Sequence, residues 1–224
     1  MYSFWISDKI SKREGSIHMK LNDRGLLVVI SGPSGVGKGT VRKALFSMPK
    51  HNLVYSVSMT TRDKRPGEVD GRDYYFVSKE EFLKRKAEGK FLETAEFVGN
   101  FYGTPLDKVN EQLDLGNEVV LEIEVDGAQQ VKKKVPDCVM IFIVPPGKQA
   151  LYDRLRRRGT ESEEVIAERI TKANREFKLA HLYDYIVVND DVNNAADRIM
   201  AIIRAEHAKT ERSIHKYMTL IEEK

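Results

Sequence analysis

Five apolar residues, Leu26 to Ile30, run straight into Ser31-Gly32-Pro33-Ser34-Gly35-Val36-Gly37-Lys38-Gly39-Thr40. An apolar run this short and unbroken reads as a strand buried on both faces, the kind found in parallel sheets. The glycines that follow let the backbone bend until several N–H groups point at one centre. Thr40 to Ser47 is helical in composition and is stopped by Pro49, so the positive end of a helix faces the same centre. Lys38 adds a mobile full charge there, which suits the outer phosphates of a nucleoside triphosphate such as ATP. A glycine-rich turn without a ligand would need no lysine among its glycines.

The loop departs from the common G-x-x-x-x-G-K-[ST] pattern, whose last hydroxyl meets magnesium. Gly39 follows Lys38, and the hydroxyl arrives one residue later at Thr40. The expected contact of Thr40 with a metal is therefore indirect. Gly-Lys-Gly-Thr resembles the loop of several nucleoside monophosphate kinases.

Further along, apolar runs alternate with helical stretches. Strands are expected at Leu53 to Met59, Tyr74 to Val77, Glu118 to Val125, Val139 to Val144 and Ile186 to Val188, with short ones between Phe91 and Phe101. Helices are expected after Ser78 (Glu81 completing a capping box), over Pro105 to Leu115, Lys148 to Arg157 and Ser162 to Leu182, and from Ala195 onward. This alternation implies a mostly parallel α/β sheet, interrupted by a small inserted lobe. At 224 residues and 41% hydrophobic content, one domain with inserted parts is expected. The segment 1–18 starts apolar, turns charged and lacks a signal-peptide core; it reads as a disordered or loosely attached extension, with Met19 an alternative start.

Lys and Arg total 37 against 34 Asp and Glu, so the balance of +3 calls for neither nucleic acid nor membrane. No stretch approaches the ~20 apolar residues of a membrane span. The single cysteine, Cys138, lies in an apolar run and reads as an inert core thiol, which fits a reducing, cytoplasmic location. The histidines show no metal-ligand spacing.

A second anion site is written in Thr60-Thr61-Arg62-x-x-Arg65-x-x-Glu68-x-x-Gly71-x-x-Tyr74-x-Phe76. Two arginines three apart on a loop can converge on one phosphate as planar forks. Tyr74, and Tyr102 in Gly99-Asn100-Phe101-Tyr102-Gly103-Thr104, offer O–H donors without charge; packing with the hydroxyl at the surface is the plainer use of either. Together with the loop and Arg158-Gly159-Thr160-Glu161, these segments fall in the order seen in guanylate kinases. The resemblance runs from about Leu26 to about Arg204.

The resemblance implies an α/β fold: a P-loop parallel sheet flanked by helices, with an inserted small mixed-β GMP-binding lobe and an arginine-rich lid. It implies a guanylate-kinase-like domain over 19–210, with core 19–56, 106–146 and 171–210, lobe 57–105, lid 147–170, and a helical end at 211–224. Gly32, Pro33, Ser34, Gly35, Val36, Gly37, Lys38, Gly39 and Thr40 would hold ATP with Mg2+. Arg62, Arg65, Tyr74 and Tyr102 would hold the phosphate of GMP, and Ser58, Glu93 and Thr104 would read its guanine. The chemistry agrees. Guanine shows N1–H and N2–H side by side, and a carboxylate at Glu93 accepts both, whereas adenine would turn a lone pair toward it. Such a pocket rejects the wrong base by about 10⁴-fold or more.

Leu121 to Asp126 places Glu122 and Glu124 on one side of an expected strand. By resemblance they serve magnesium and the GMP end of the site, and as solvent-facing carboxylates they would do neither. By resemblance, Arg154, Arg158 and Arg169 are the lid arginines that clamp the transferring group, with Lys38 adding catalytic charge from the loop. The arginine cluster has no aromatic platform for nucleic acid. The implied activity is transfer of the γ-phosphate of ATP to GMP, with dGMP a second acceptor, in purine nucleotide metabolism. Two rival readings are a non-catalytic guanylate-kinase-like module that binds phosphoproteins and a kinase of another phosphorylated acceptor such as a ribose bisphosphate. Ile214, Tyr217, Met218 and Ile221 have helical spacing and suit docking on the core or on a second subunit, so a homo-oligomer stays open.

Overall fold

The computed structural model describes residues 24–156 and 162–222. The expectations for the segment 1–18 and for Arg158 lie outside the described residues. In chain order the elements are β1 (Leu27–Ser31), α1 (Lys38–Ser47), β2 (Leu53–Tyr55), β3 (Met59–Thr60), β4 (Tyr75–Phe76) and α2 (Lys79–Ala87). There follow β5 (Phe91–Phe97), β6 (Asn100–Pro105), α3 (Leu106–Asp114), β7 (Glu118–Glu122), α4 (Val125–Lys134) and β8 (Val139–Val144). The last are α5 (Lys148–Arg156), α6 (Glu163–Phe177), a 3-10 turn (Ala180–Leu182), β9 (Tyr185–Val188), α7 (Val192–His207) and α8 (Thr210–Glu222).

β1 is buried throughout, and its residues alternate between two cores as a strand's two-residue period requires. Val28 and Ile30 join Leu45 of α1, Leu151 and Leu155 of α5 and Ile199 of α7. Leu27 and Val29 join Val109 of α3 and Val131 of α4. The parallel sheet runs β2-β7-β1-β8-β9, so β1 is its middle strand and its C-terminal end delivers the glycine loop. A second sheet, β4-β3-β6-β5, mixes parallel and antiparallel pairs. Its core rests on Met59, Phe82 and Phe91, with the Phe82 and Phe91 rings stacked 4.5 Å apart. Each such burial contributes about 1.5–3 kcal/mol, so this lobe is held far more lightly than the main sheet.

The parallel sheet, its flanking helices and the mixed inserted sheet agree with the expected fold class. Several local expectations do not hold. Leu53 to Met59 is two strands in two sheets. Ser56 N still donates to Val120 O of the main sheet, whereas Ser58 O already accepts from Tyr75 N of the lobe. The chain crosses between sheets there, so its apolar pattern spans both. The expected strand over Glu118 to Val125 stops at Glu122, and Glu124 adopts extended angles (φ −72°, ψ 164°) as the residue before α4. Glu122 and Glu124 therefore do not share one strand face. The C-terminal helix is two helices, α7 and α8. Ile214, Tyr217, Met218 and Ile221 on α8 are 37–50% exposed. Ser78 does cap α2, its hydroxyl accepting from Glu81 N at 3.1 Å.

Candidate active site

The glycine loop is shaped by what surrounds it. Gly37 has φ 92°, and a Cβ there would lie 2.6 Å from Asn189 Nδ2. Gly32 has φ 146°, and its Cβ would lie 2.4 Å from Ile143 O. Only glycine fits either place without moving the backbone. Val36 is buried between them, and its carbonyl accepts from Asn189 Nδ2 at 2.7 Å and from Arg154 Nη1 at 3.1 Å. Arg154 Nη2 also donates to Asn189 O at 2.8 Å. Arg154, expected over the transferring group, thus braces the loop's backbone from α5. Asn189 carried no expectation. It is 2% exposed just after β9, and sequence spacing gives no hint that it meets residue 36.

α1 begins at Lys38, two residues earlier than expected. Its first turn has no side-chain cap and no acidic residue. Its leading N–H groups and the positive end of its dipole therefore face the loop, an arrangement built for an anion. Lys38 Nζ reaches Gly32 O at 2.6 Å and Glu124 Oε1 at 3.3 Å. Lys172 of α6 holds the other Glu124 oxygen at 3.3 Å. Burial works against the Glu124 charge, but Lys38 and Lys172 outweigh it and keep the carboxyl below the usual range. From the same helix, Arg169 Nη2 donates to Ser34 Oγ at 2.7 Å. Pro33 is buried, Gly35 and Gly39 are partly so, and Thr40 is exposed on the first turn of α1. Glu122, at the end of β7, accepts from Arg42 Nε at 2.6 Å.

In the lobe, Arg62 is gripped by Glu68, its Nη2 donating to both carboxylate oxygens at 2.8 and 3.1 Å. Arg65 N donates to the same carboxylate at 2.8 Å. Glu68, in sequence only one position of the motif, is the bracket between Arg62 and the Arg65 backbone. The Arg62 guanidinium lies 5.5 Å from the Tyr74 ring centre, and the Tyr74 and Tyr102 rings meet edge-on at 6.1 Å. Arg62, Tyr74 and Tyr102 are thus gathered together, whereas the Arg65 side chain is exposed. Ser58 stands half-buried where the chain passes between the sheets.

Glu93 is 5% exposed, and Thr104 Oγ1 donates to its Oε1 at 2.7 Å. Register between β5 and β6 shifts between Phe91 and Thr94, and such an irregularity re-aims the side chain it contains. Burial pushes the Glu93 pKa up against the opposing Thr104 hydrogen bonds. A Cβ on Gly127 of α4 would sit 3.2 Å from Glu93 Oε2. α4 also ties the lobe to the main sheet: Gln130 exchanges two 3.1 Å hydrogen bonds with the Thr94 backbone, and Lys134 Nζ donates to Phe91 O at 2.6 Å. No helix was expected there. The apolar spacing of Val125, Ala128 and Val131, closed by Lys132 to Lys134, was its signal.

A phosphate loop after the middle strand of a parallel sheet, with an inserted lobe bearing arginine, tyrosine and a buried carboxylate, defines a P-loop nucleotide kinase. The family model described as guanylate kinase matches residues 24–206. A guanylate kinase of Onion yellows phytoplasma (strain OY-M) is 64% identical over 206 residues, covering 92% of this chain and 97% of the relative. One from Streptococcus thermophilus (strain CNRZ 1066) is 58% identical over 204 residues, covering 91% and 98%. The crystal structure of guanylate kinase from Anaplasma phagocytophilum is similar with TM-score 0.70 and 36% identity, covering 91% of this chain and 97% of that one. The chain belongs to the guanylate kinase family.

Proposed function

We infer that this protein transfers the γ-phosphoryl group of ATP to GMP, giving ADP and GDP, and that dGMP is accepted as well. The observation that carries this is the buried Glu93–Thr104 pair within the lobe, beside Gly127 of α4, in a chain whose middle parallel strand runs into a phosphate loop. A carboxylate with a single hydroxyl neighbour is suited to accept both N–H donors of guanine; Ser58 is suited to donate to its O6, as is Thr104 once its hydroxyl turns from Glu93. Arg62, Arg65, Tyr74 and Tyr102 hold the acceptor phosphate. Gly32 to Thr40 hold the donor.

Phosphoryl transfer asks for alignment, exclusion of water and neutralised charge on the equatorial oxygens. Lys38 supplies charge at the outer phosphates. Arg154, Arg158 and Arg169, in a lid over 147–170, supply more as it closes, and Glu124 and Ser34 are the contacts through which α6 reaches the loop. The GMP phosphate oxygen is already a nucleophile at neutral pH, so no general base is required. The oxygen donors near the loop, Glu122, Glu124 and Thr40, fit a hard divalent cation such as Mg2+, which bound with ATP would offset phosphate charge. The reaction belongs to purine nucleotide metabolism. We place it in the cytoplasm, consistent with a buried thiol at Cys138 pushed up to about 11 by burial. No helix among the described residues is long and apolar enough to cross a membrane.

A coupled ADP-release assay across GMP, dGMP, AMP, UMP and sugar phosphates tests this. GMP should lead by a wide margin, with dGMP next. Failure to form GDP from ATP and GMP would refute it.

A further inference from the structure

One turn beyond Gly39 on α1, Arg42 holds Glu122. Its Nε donates to Glu122 Oε2 at 2.6 Å, and the two side chains are only 24% and 19% exposed. The Arg42 guanidinium carbon lies 4.1 Å from the centre of the Tyr55 ring at the end of β2, so the cation is held from a second side. With Oε2 engaged, the other oxygen of Glu122 faces α1: a Cβ on Gly39 would stand 3.3 Å from Oε1. Position 39 is where the common loop pattern carries its hydroxyl. Here the main chain carries no side chain, and a carboxylate from β7 leans over the gap. An aspartate would withdraw that carboxylate by about 1.5 Å, one carbon–carbon bond.

We propose that Arg42 is a positioning residue, which fixes Glu122 so that its Oε1 takes the place of the missing loop hydroxyl beside the nucleotide-bound divalent cation. This rests on the phosphotransfer reading above. The loop glycine, the longer acid and the arginine then form one unit. Gly39 clears the space, Glu122 reaches it, and Arg42 with Tyr55 holds the reach at a fixed angle. Carboxylates that face a metal are themselves hydrogen-bonded, and losing that outer partner costs about 10–100-fold in metal affinity.

The test measures Mn2+ affinity by electron paramagnetic resonance in the presence of a non-hydrolysable ATP analogue, beside the Mg2+ dependence of kcat and KM for GMP. Arg42→Ala and Glu122→Gln should each weaken Mn2+ binding about 10–100-fold and raise the Mg2+ needed for half-maximal rate. Arg42→Lys should recover part of the loss. Gly39→Ser should weaken Mn2+ binding alone, because its Cβ crowds Glu122, and Glu122→Asp added to it should restore binding above either single variant. Unchanged Mn2+ affinity in Arg42→Ala, or additive losses in the Gly39/Glu122 pair, would overturn the proposal. If thermal unfolding shows Arg42→Ala misfolded, Arg42→Lys and the paired exchange decide. A parent chain unable to phosphorylate GMP would instead refute the functional reading.

Discussion

Glu93→Gln separates two consequences of burying one carboxylate. At 5% exposure, ionised Glu93 pays a desolvation penalty that its Thr104 partner only partly offsets, so its pKa stands above the ordinary glutamate value. For the ligand-free fold, the favourable contribution of protonated Glu93 is present below the unfolded value and fades as pH rises through the raised one. Guanine needs the opposite form, because only the carboxylate offers two acceptors. GMP recognition should therefore strengthen as pH rises through that same window and then level off. Glutamine keeps the size and an oxygen for Thr104 but turns an amide N–H toward a guanine donor. Hydrogen bonds to a charged group contribute about 1.5–3 kcal/mol each. Losing one and weakening the other gives about 3 kcal/mol, or about 10²-fold in kcat/KM for GMP.

The assay is kcat/KM for GMP from about pH 5 to about pH 8, with thermal unfolding of both proteins without ligand. The phosphate of GMP titrates alike against both proteins, so the ratio of parent to variant isolates Glu93. That ratio should grow with pH and level near its full value. The variant should unfold at the same or a higher temperature at the alkaline end, since it buries no charge there. A pH-independent ratio, or parental kinetics in the variant, would refute the reasoning.

Gly127→Ala should raise KM for GMP and spare KM for ATP, because the new methyl would sit 3.2 Å from Glu93 Oε2; equal effects on both substrates would point to general damage to α4. Lys38→Ala should lower kcat by about 10³ or more while calorimetry still finds GMP binding; substantial residual turnover would remove Lys38 from the transfer step. Glu118→Ala should lower the urea midpoint by an amount equivalent to about 3 kcal/mol without changing kcat/KM. Glu118 is 2% exposed at the far end of β7, where it accepts from Leu26 N at 2.7 Å and from His207 Nε2 at 2.8 Å.

Legibility followed the reach of each interaction. β1, its loop and the N-cap at Ser78 show themselves in runs of adjacent residues: an apolar run, glycines at positive φ and a capping serine. The nearness of Arg62 to Tyr74 and Tyr102 was legible in the motifs that carry them, whereas Arg65, expected beside Arg62, stays exposed. The division of Leu53 to Met59 between sheets was not legible, because apolar spacing reports burial and does not report which sheet buries it. Glu122 and Glu124 do not share a face because the strand period ends with β7 at Glu122, two residues short of Glu124.

From its residues alone, then, the chain determined a glycine-rich loop on a buried parallel strand, a segment rich in arginine and tyrosine, and a glutamate chemically suited to guanine. Tertiary structure alone decided who braces whom: Asn189 on the Val36 carbonyl across 153 positions, Arg42 on Glu122 across 80, and Gln130 against Thr94 across 36. Backbone strain and burial leave their mark on the residues that bear them. A hydrogen bond between distant segments leaves none until folding brings its donor and acceptor within about 3 Å.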